Sequence, residues 1–346
     1  MKKVIGIVLA LCLVFLAIAL YSFFASTTRF SGKEKVIYIK TNQATREAVM
    51  ETLVKDSLVK SPKIFSWFAG KLNYWDRIKP GRYKITKGMS VSQIARLLRR
   101  GTQFPARLVI NKIRLTADLA GIIGRVLEAD SVGVMAVFNN PDSLKTYGVN
   151  DTTLLAHIVP DTYEVLWTWT PERVLKKLFE GRDAWWGKNN REEKARKLGL
   201  KPEEVHTLAS IVEEESNVEA DKPKIASVYL NRLRLGMPLQ ADPTIRFALK
   251  NFTMNRILYA HLRTQSPYNT YINRGLPPGP ICTPAKATID AVLDAPKTDY
   301  LFFVANADLR GGSTFTTNLA DHNKAAKIYQ DSLTAWLKRK ATQGRQ

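Results

Sequence analysis

Three consecutive carboxylates, Glu213, Glu214 and Glu215, followed by Ser216, end an apolar run in this chain. A carboxyl group at the buried end of a helix is costly unless it is used. A glutamic acid kept protonated near neutral pH is what general acid catalysis needs. A helix entering at Lys201-Pro202-Glu203-Glu204 has proline and acids in its first turn, as an N-terminus should. Val205, Leu208, Ala209, Ile211 and Val212 then recur at helical spacing and define one apolar face. Glu214 falls nearly opposite that face and is expected in solvent, with Glu213 on the flank. Glu215 lies nearest the face, so partial burial is expected to raise its carboxyl pKa. Taken alone, an acidic triplet is also what an ordinary solvated helix end looks like.

Other chemistries find little support. The four histidines, His157, His206, His261 and His322, show no metal-ligand spacing, and no metal or cofactor is expected. His206 reads as an ordinary helix-surface residue. Ser210 sits inside the helical run without a nearby base, which argues against a serine nucleophile. No glycine-rich phosphate loop is present. The two cysteines, Cys12 and Cys282, do not suggest a disulfide framework.

The elements that would position these groups can be read coarsely. Val36–Ile39 and Gly81–Ile85 read as strands, Arg46–Leu58 as an amphipathic helix, and Lys87-Gly88 as a turn. Ser90 caps a helix carrying Val91, Ile94, Leu97 and Leu98 that Gly101 closes. Thr116–Leu127, Thr170–Trp185 and Asp290–Leu293 read as helices, and Tyr300–Val304 as a buried strand. Asp242-Pro243 could start a further helix. The fold class is α+β, with a small α+β unit over residues 33–110 and a larger mixed domain over 111–336. Residues 337–346 read as a flexible basic tail.

Val4 to Phe24 carries no charge and is long enough for a membrane span. Lys2 and Lys3 precede it, so residues 1–3 are expected in the cytoplasm and the bulk outside. The formal charge of +21 suggests attraction to a polyanion. No nucleic-acid motif with interleaved aromatics appears, so an anionic envelope surface is favoured over nucleic acid.

Several motifs then combine. They are Ala209–Ser216, Ala226–Leu233 (ASVYLNRL), Leu239–Thr244 (LQADPT), Tyr268–Tyr271 (YNTY) and Gly275–Ile281 (GLPPGPI). Pro160–Tyr163, Asn318-Leu319 and His322-Asn323 accompany them. Together they resemble the YceG-like endolytic murein transglycosylases, the MltG family, over most of the chain. In two places the sequence departs from that pattern. Ser313 stands where the family commonly has histidine, and Ala156-His157 stand where it tends to have Glu-Gly. Neither place is assigned a role.

The resemblance implies a LysM-like subdomain over 33–110 and a lytic transglycosylase domain over 111–336. It places the catalytic acid on Glu215, the residue that the helical count reaches independently, with Glu213 as the alternative. The candidates around the acid are Glu213, Ser216, Asn231, Gln240, Asp242, Tyr268, Asn269 and Thr270, whose amides, hydroxyls and rings suit sugars. The implied reaction is internal cleavage of a peptidoglycan glycan strand between N-acetylmuramic acid and N-acetylglucosamine, leaving 1,6-anhydro ends. The implied setting is the bacterial inner membrane, with the catalytic domain outside the cytoplasm. The implied partners are glycan strands, the cytoplasmic membrane and the peptidoglycan synthases known as penicillin-binding proteins. Two other readings stay open: a muramidase that uses water with Asp242 as a second carboxylate, and a non-catalytic glycan-binding scaffold.

Overall fold

The computed structural model describes residues 2–254 and 256–343. In chain order the first elements are α1 (Lys2–Phe24), β1 (Glu34–Ile39), α2 (Arg46–Lys55), α3 (Pro62–Lys71), β2 (Gly81–Thr86), α4 (Val91–Arg100) and β3 (Ala106–Ile110). Next come α5 (Thr116–Gly124), α6 (Ser131–Phe138), α7 (Pro141–Lys145), β4 (Asp161–Val165), α8 (Pro171–Trp186) and α9 (Arg191–Lys197). The chain ends with α10 (Pro202–Glu215), α11 (Lys222–Arg234), α12 (Asp242–Ala248), α13 (Lys286–Leu293), β5 (Phe302–Ala305), β6 (Ser313–Thr316) and α14 (Leu319–Gln343). Three two-stranded sheets, β1–β2, β3–β4 and β5–β6, accompany the helices, which makes the fold α+β.

The chain divides into two compact units, one formed by residues 1–108, 124–130 and 164–170, the other by the remainder. The first is built on an antiparallel pairing of β1 and β2, in register from Glu34↔Thr86 to Ile39↔Gly81. Helix α4 starts and stops where its residues dictate. The Ser90 hydroxyl accepts from the Gln93 amide while the Gln93 side chain accepts from the Ser90 amide. Gly101 ends the helix at φ 74°, a left-handed conformation that glycine adopts without a Cβ penalty. Leu53, Phe65, Tyr83, Ile94 and Leu98 fill the core of this unit.

Helix α1 has 23 residues, which at ~1.5 Å rise per residue is roughly 34 Å. Among the described residues no helix is long and apolar enough to cross a membrane.

The second unit is organised around α10. Every residue from Val205 to Val212 is buried, including His206, Thr207 and Ser210. The helix is therefore enclosed on all sides, not amphipathic with one apolar face. Trp186, Tyr229, Leu239, Ile281, Ile289 and Val292 share its core. Each large apolar side chain so enclosed contributes about 1.5–3 kcal/mol. His206 is accordingly not a surface residue. It is fully buried, neither ring nitrogen has a hydrogen-bond partner, and burial pushes its pKa down to about 3, so it stays neutral.

Two expectations about the C-terminal region change. Tyr300–Val304 is not a buried strand: β5 begins at Phe302, pairs among the described residues only with β6, and its residues are half-buried or exposed. Residues 337–343, read as tail, continue α14, while 344–346 lie outside the described residues.

Candidate active site

The end of α10 brings three carboxylates into three different environments. Glu213 faces α11 and α13. Its Oε2 accepts from Lys222 Nζ at 2.9 Å and from the Thr288 hydroxyl, and Lys112 Nζ lies 3.9 Å from Oε1. Lys222 is itself enclosed, with 4% of its side chain exposed. Burial pushes the Lys222 pKa down, but its hydrogen bonds to Glu219 and Glu213 outweigh that and hold it above its ordinary value.

Glu214 is not in solvent. Its side chain is 15% exposed and clamped by Lys112 at 3.1 Å and by Arg114, whose Nη2 lies 2.9 Å from both carboxylate oxygens. Burial alone would raise its pKa, yet the hydrogen bonds from Arg114 and Lys112 prevail and lower it. Those two cations come from far away in sequence. The Ile113 amide donates to the Thr283 hydroxyl, the Thr283 amide donates to the Ile113 carbonyl, and the Thr283 hydroxyl donates to the Asn111 carbonyl. The loop carrying Thr283 is in turn fastened to α10, because the Ile281 amide donates to the Ser210 hydroxyl at 3.0 Å. Ser210 is thus a structural anchor. Gly279 in the same loop lies so close to the Thr152 carbonyl oxygen that a Cβ there would stand 2.0 Å from it, which only glycine avoids.

Among the described residues, no lysine or arginine forms an ion pair with Glu215. The Tyr229 hydroxyl donates to its Oε1 at 2.6 Å. As a residue it keeps some solvent access, while its carboxyl is densely surrounded. Burial is the main cause that pushes its pKa up to about 7. The Tyr229 hydrogen bond opposes this, the charge of Asp242 adds to it, and Arg246 and Arg232 pull it back. A carboxyl titrating near 7, enclosed yet reachable, can donate a proton and take one back at neutral pH.

The elements around Glu215 are tied together by Arg232 on α11. Its guanidinium donates to the carbonyls of Leu301 at 2.8 Å and Leu239 at 2.7 Å, and it lies over the Phe302 ring. Asp242, the first residue of α12, is half-buried, and its Oδ1 accepts from the Tyr271 hydroxyl at 2.6 Å. A cavity of about 260 Å³ opens against Asp242 and Tyr271 and is walled by Arg256, Leu258, Tyr259 and Leu262.

The remaining candidates divide. Gln240 is exposed, held at φ 54° by its amide bond to the Thr270 carbonyl, with its side-chain carbonyl 3.4 Å from Arg232. Ser216 ends α10 and accepts from the Val218 amide. Tyr268 packs its ring on Phe247 at 4.6 Å. Asn269 and Thr270 are buried and committed to the backbone. The Asn269 amide donates to the carbonyls of Leu262 and Thr264 and its carbonyl accepts from the Tyr271 amide. Thr270 accepts from the Ala241 amide and bonds the Thr244 hydroxyl. They shape the cleft by fixing Tyr271 and the Leu239–Ala241 bend. Asn231 stands elsewhere, donating to the Thr298 and Tyr300 carbonyls and lining a separate cavity of about 700 Å³ that none of Glu215, Tyr229 and Asp242 lines.

Sequence reasoning missed Tyr229 as the residue that touches Glu215, although it stood within the quoted ASVYLNRL helix. It missed Tyr271 as the partner of Asp242, and the Lys112–Arg114 clamp. The first two had a local signal, a tyrosine inside a motif. The clamp had none, since it depends on a long-range strand of hydrogen bonds. Among the described residues no cluster of His, Cys, Asp and Glu could hold a metal ion.

Comparisons with known proteins agree on one family. The model of the YceG-like family matches residues 37–328. The chain is 31% identical over 301 residues to the endolytic murein transglycosylase of Bacillus subtilis, covering 82% of each chain. It is 29% identical over 303 residues to the endolytic murein transglycosylase of Streptococcus pneumoniae, covering 79% of this chain and 54% of that longer protein. A solved yceG-like protein from Listeria monocytogenes superposes with a TM-score of 0.56 at 27% identity, over 85% of this chain and 99% of that one. On a match of that extent, with the motifs clustered around Glu215, the chain belongs to the YceG-like family.

Proposed function

We propose that this protein is an endolytic murein transglycosylase, a carbon–oxygen lyase that cuts peptidoglycan glycan strands internally. The observation that carries the reading is the Glu215 carboxyl, enclosed, bonded to Tyr229 and titrating near 7, in a chain whose relatives are endolytic murein transglycosylases. Protonated Glu215 donates to the glycosidic oxygen between N-acetylmuramic acid and N-acetylglucosamine as the bond from C1 breaks through an oxocarbenium-like state. The resulting carboxylate takes the proton from the muramoyl C6 hydroxyl, whose oxygen attacks C1 and closes a 1,6-anhydro ring. No water is consumed, and Glu215 ends protonated as it began. Gln240, Tyr268 and Asp242 border the sugar path, and cutting nascent strands in this way would end their polymerisation.

The setting follows from the sequence and from α1. The uncharged Val4–Phe24 run lies within one 23-residue helix, which supports a single-pass anchor in the inner membrane with the N-terminus cytoplasmic. The unit built on β1, β2 and α4 fits a LysM-like role beside the glycan. The implied partners are glycan strands, the cytoplasmic membrane and the penicillin-binding synthases. Mass spectrometry of products from purified protein and glycan strands tests the chemistry. Products one water lighter than a reducing end are expected, and products labelled from heavy-oxygen water would instead show a muramidase.

A further inference from the structure

We infer that Asp242, held by Tyr271, is the fixed negative charge that stabilises the cationic sugar when the glycosidic bond breaks. The inference rests on the assignment of Glu215 as the acid.

The observations are geometric. Asp242 is half-buried, while the half-buried Asp290 and the exposed Asp161 and Asp294 of the same unit each have a cation. Asp290 has Arg191 at 2.7 Å, Asp161 has Lys286 at 2.5 Å and Asp294 has Lys194 at 2.6 Å. The structure gives Asp242 a tyrosine hydroxyl at 2.6 Å on Oδ1 and, among the described residues, no ion pair. A carboxylate taken partly out of water without a counter-charge is unfavourable in the resting protein. It becomes favourable when a positive charge forms beside it, which is the condition for transition-state stabilisation by a preorganised group. A cavity of about 260 Å³ lies against the same carboxylate, slightly smaller than the roughly 300–1,000 Å³ typical of ligand sites. Its walls include Tyr259, which is 90% exposed, and Leu258, surfaces on which a pyranose can lie.

Asp242 is also in electrostatic reach of Glu215. The titratable and charged groups facing Glu215 are Tyr229 and Arg232 from α11, Asp242 and Arg246 from α12, and Tyr271 from the following loop. Of these, Asp242 is the one carboxyl group besides Glu215 itself. Its charge favours the proton on Glu215 before cleavage and faces the cation after it. Tyr271 is then a positioning residue that fixes the direction of the carboxylate.

Asp242→Asn keeps the shape and can still accept from Tyr271, so it removes the charge alone. The experiment measures kcat and KM on glycan strands from pH 5 to 9 for wild type, Asp242→Asn, Asp242→Glu, Tyr271→Phe and Glu215→Gln, with circular dichroism on each. Asp242→Asn is expected to lower kcat by about 10²–10³-fold, with KM within a few-fold. Its basic limb should move to lower pH, because removing a like charge releases the Glu215 proton earlier. Asp242→Glu should restore much of kcat and the position of the limb. Tyr271→Phe should cost roughly tenfold in kcat and leave the limb at its wild-type position. The inference is overturned if Asp242→Asn retains wild-type kcat, shifts only KM, or loses rate without moving the limb. Should Asp242→Asn not fold, loss of the limb position or of kcat beyond about a hundredfold in Asp242→Glu overturns it. Glu215→Gln separates the two assignments: if it stays active the acid is elsewhere, and if it is inactive while Asp242→Asn is active only the role of Asp242 falls.

Discussion

Two sides of one helix end treat the same side chain in opposite ways. On the side of Glu213 and Glu214, Lys222, Lys112 and Arg114 surround the carboxylates, and the pKa of Glu214 is lowered. On the side of Glu215 the nearest partner is a neutral hydroxyl, and the carboxyl titrates near 7. Burial acts on both sides, more strongly at Glu215, so depth alone does not distinguish them. The count and placement of counter-charges does, and it converts two glutamates into fasteners and leaves the third able to exchange a proton.

The comparison breaks first at activity. Glu215→Gln should reduce turnover on glycan strands by about 10²–10⁴-fold with a native circular dichroism spectrum. Near-normal turnover would mean that the two sides do not differ in chemistry. With the acid intact, kcat/KM should fall as pH rises past about 7, where Glu215 loses its proton. A rate that keeps climbing to pH 9 would contradict the enclosed carboxyl.

Glu213→Gln should have its effect on stability. It leaves the enclosed Lys222 ammonium with the exposed Glu219 as its remaining anionic partner beside the Thr288 hydroxyl, and breaking a buried pair in this way costs roughly 3–5 kcal/mol, less whatever these partners retain. Denaturant unfolding should show the loss, while turnover per folded molecule changes far less than for Glu215→Gln.

Linkage gives the two sides opposite pH dependence. The folded pKa of Glu215 lies above its ordinary 4.5, so folding takes up a proton between 4.5 and about 7. The associated stability is fully present below 4.5 and is lost as pH rises through about 7. Glu215→Gln should therefore raise Tm at pH 8 and leave it unchanged at pH 4. An unchanged difference across that range would show the carboxyl to be solvated. Glu214 has the reverse sign. Its folded pKa is lowered, so its stabilisation is present above 4.5 and disappears as pH falls through the folded value. Glu214→Gln should cost about 1–3 kcal/mol at pH 7 and nothing well below its folded pKa, read from unfolding curves at both.

How much of this was legible depends on the range of the interaction. Helix α4 could be read whole, because Ser90, Gln93 and Gly101 close their own hydrogen bonds within the segment. The boundaries of α10 were also local, set by Pro202 at one end and Ser216 at the other. Its surroundings were not. The one-sided apolar face missed that His206, Thr207 and Ser210 are buried as well, which left Glu214 on a side that is not solvent. The helical count singled out Glu215 while its picture of the opposite face was wrong. Glu215 differs from its neighbours because Lys112 and Arg114 arrive through Thr283, and no spacing within 201–216 records that connection. Asn269 and Thr270 illustrate the same limit. Their types suit sugars, yet the chain folds back so that both serve backbone groups.

The enclosure of α10 also has a consequence in time. Amide hydrogens of a helix buried all round exchange with solvent only through the rarest and most extensive openings, while loop amides exchange through frequent local ones. The backbone at Val205–Val212 should thus be among the last of this unit to take up deuterium, and the segment around Leu258 and Tyr259 among the first. If so, the carboxyl at the end of α10 is referenced to the slowest part of the protein and the wall of the cavity against Asp242 to one of the fastest. A long polymer could then enter and leave over the moving wall many times within the lifetime of one fixed proton donor.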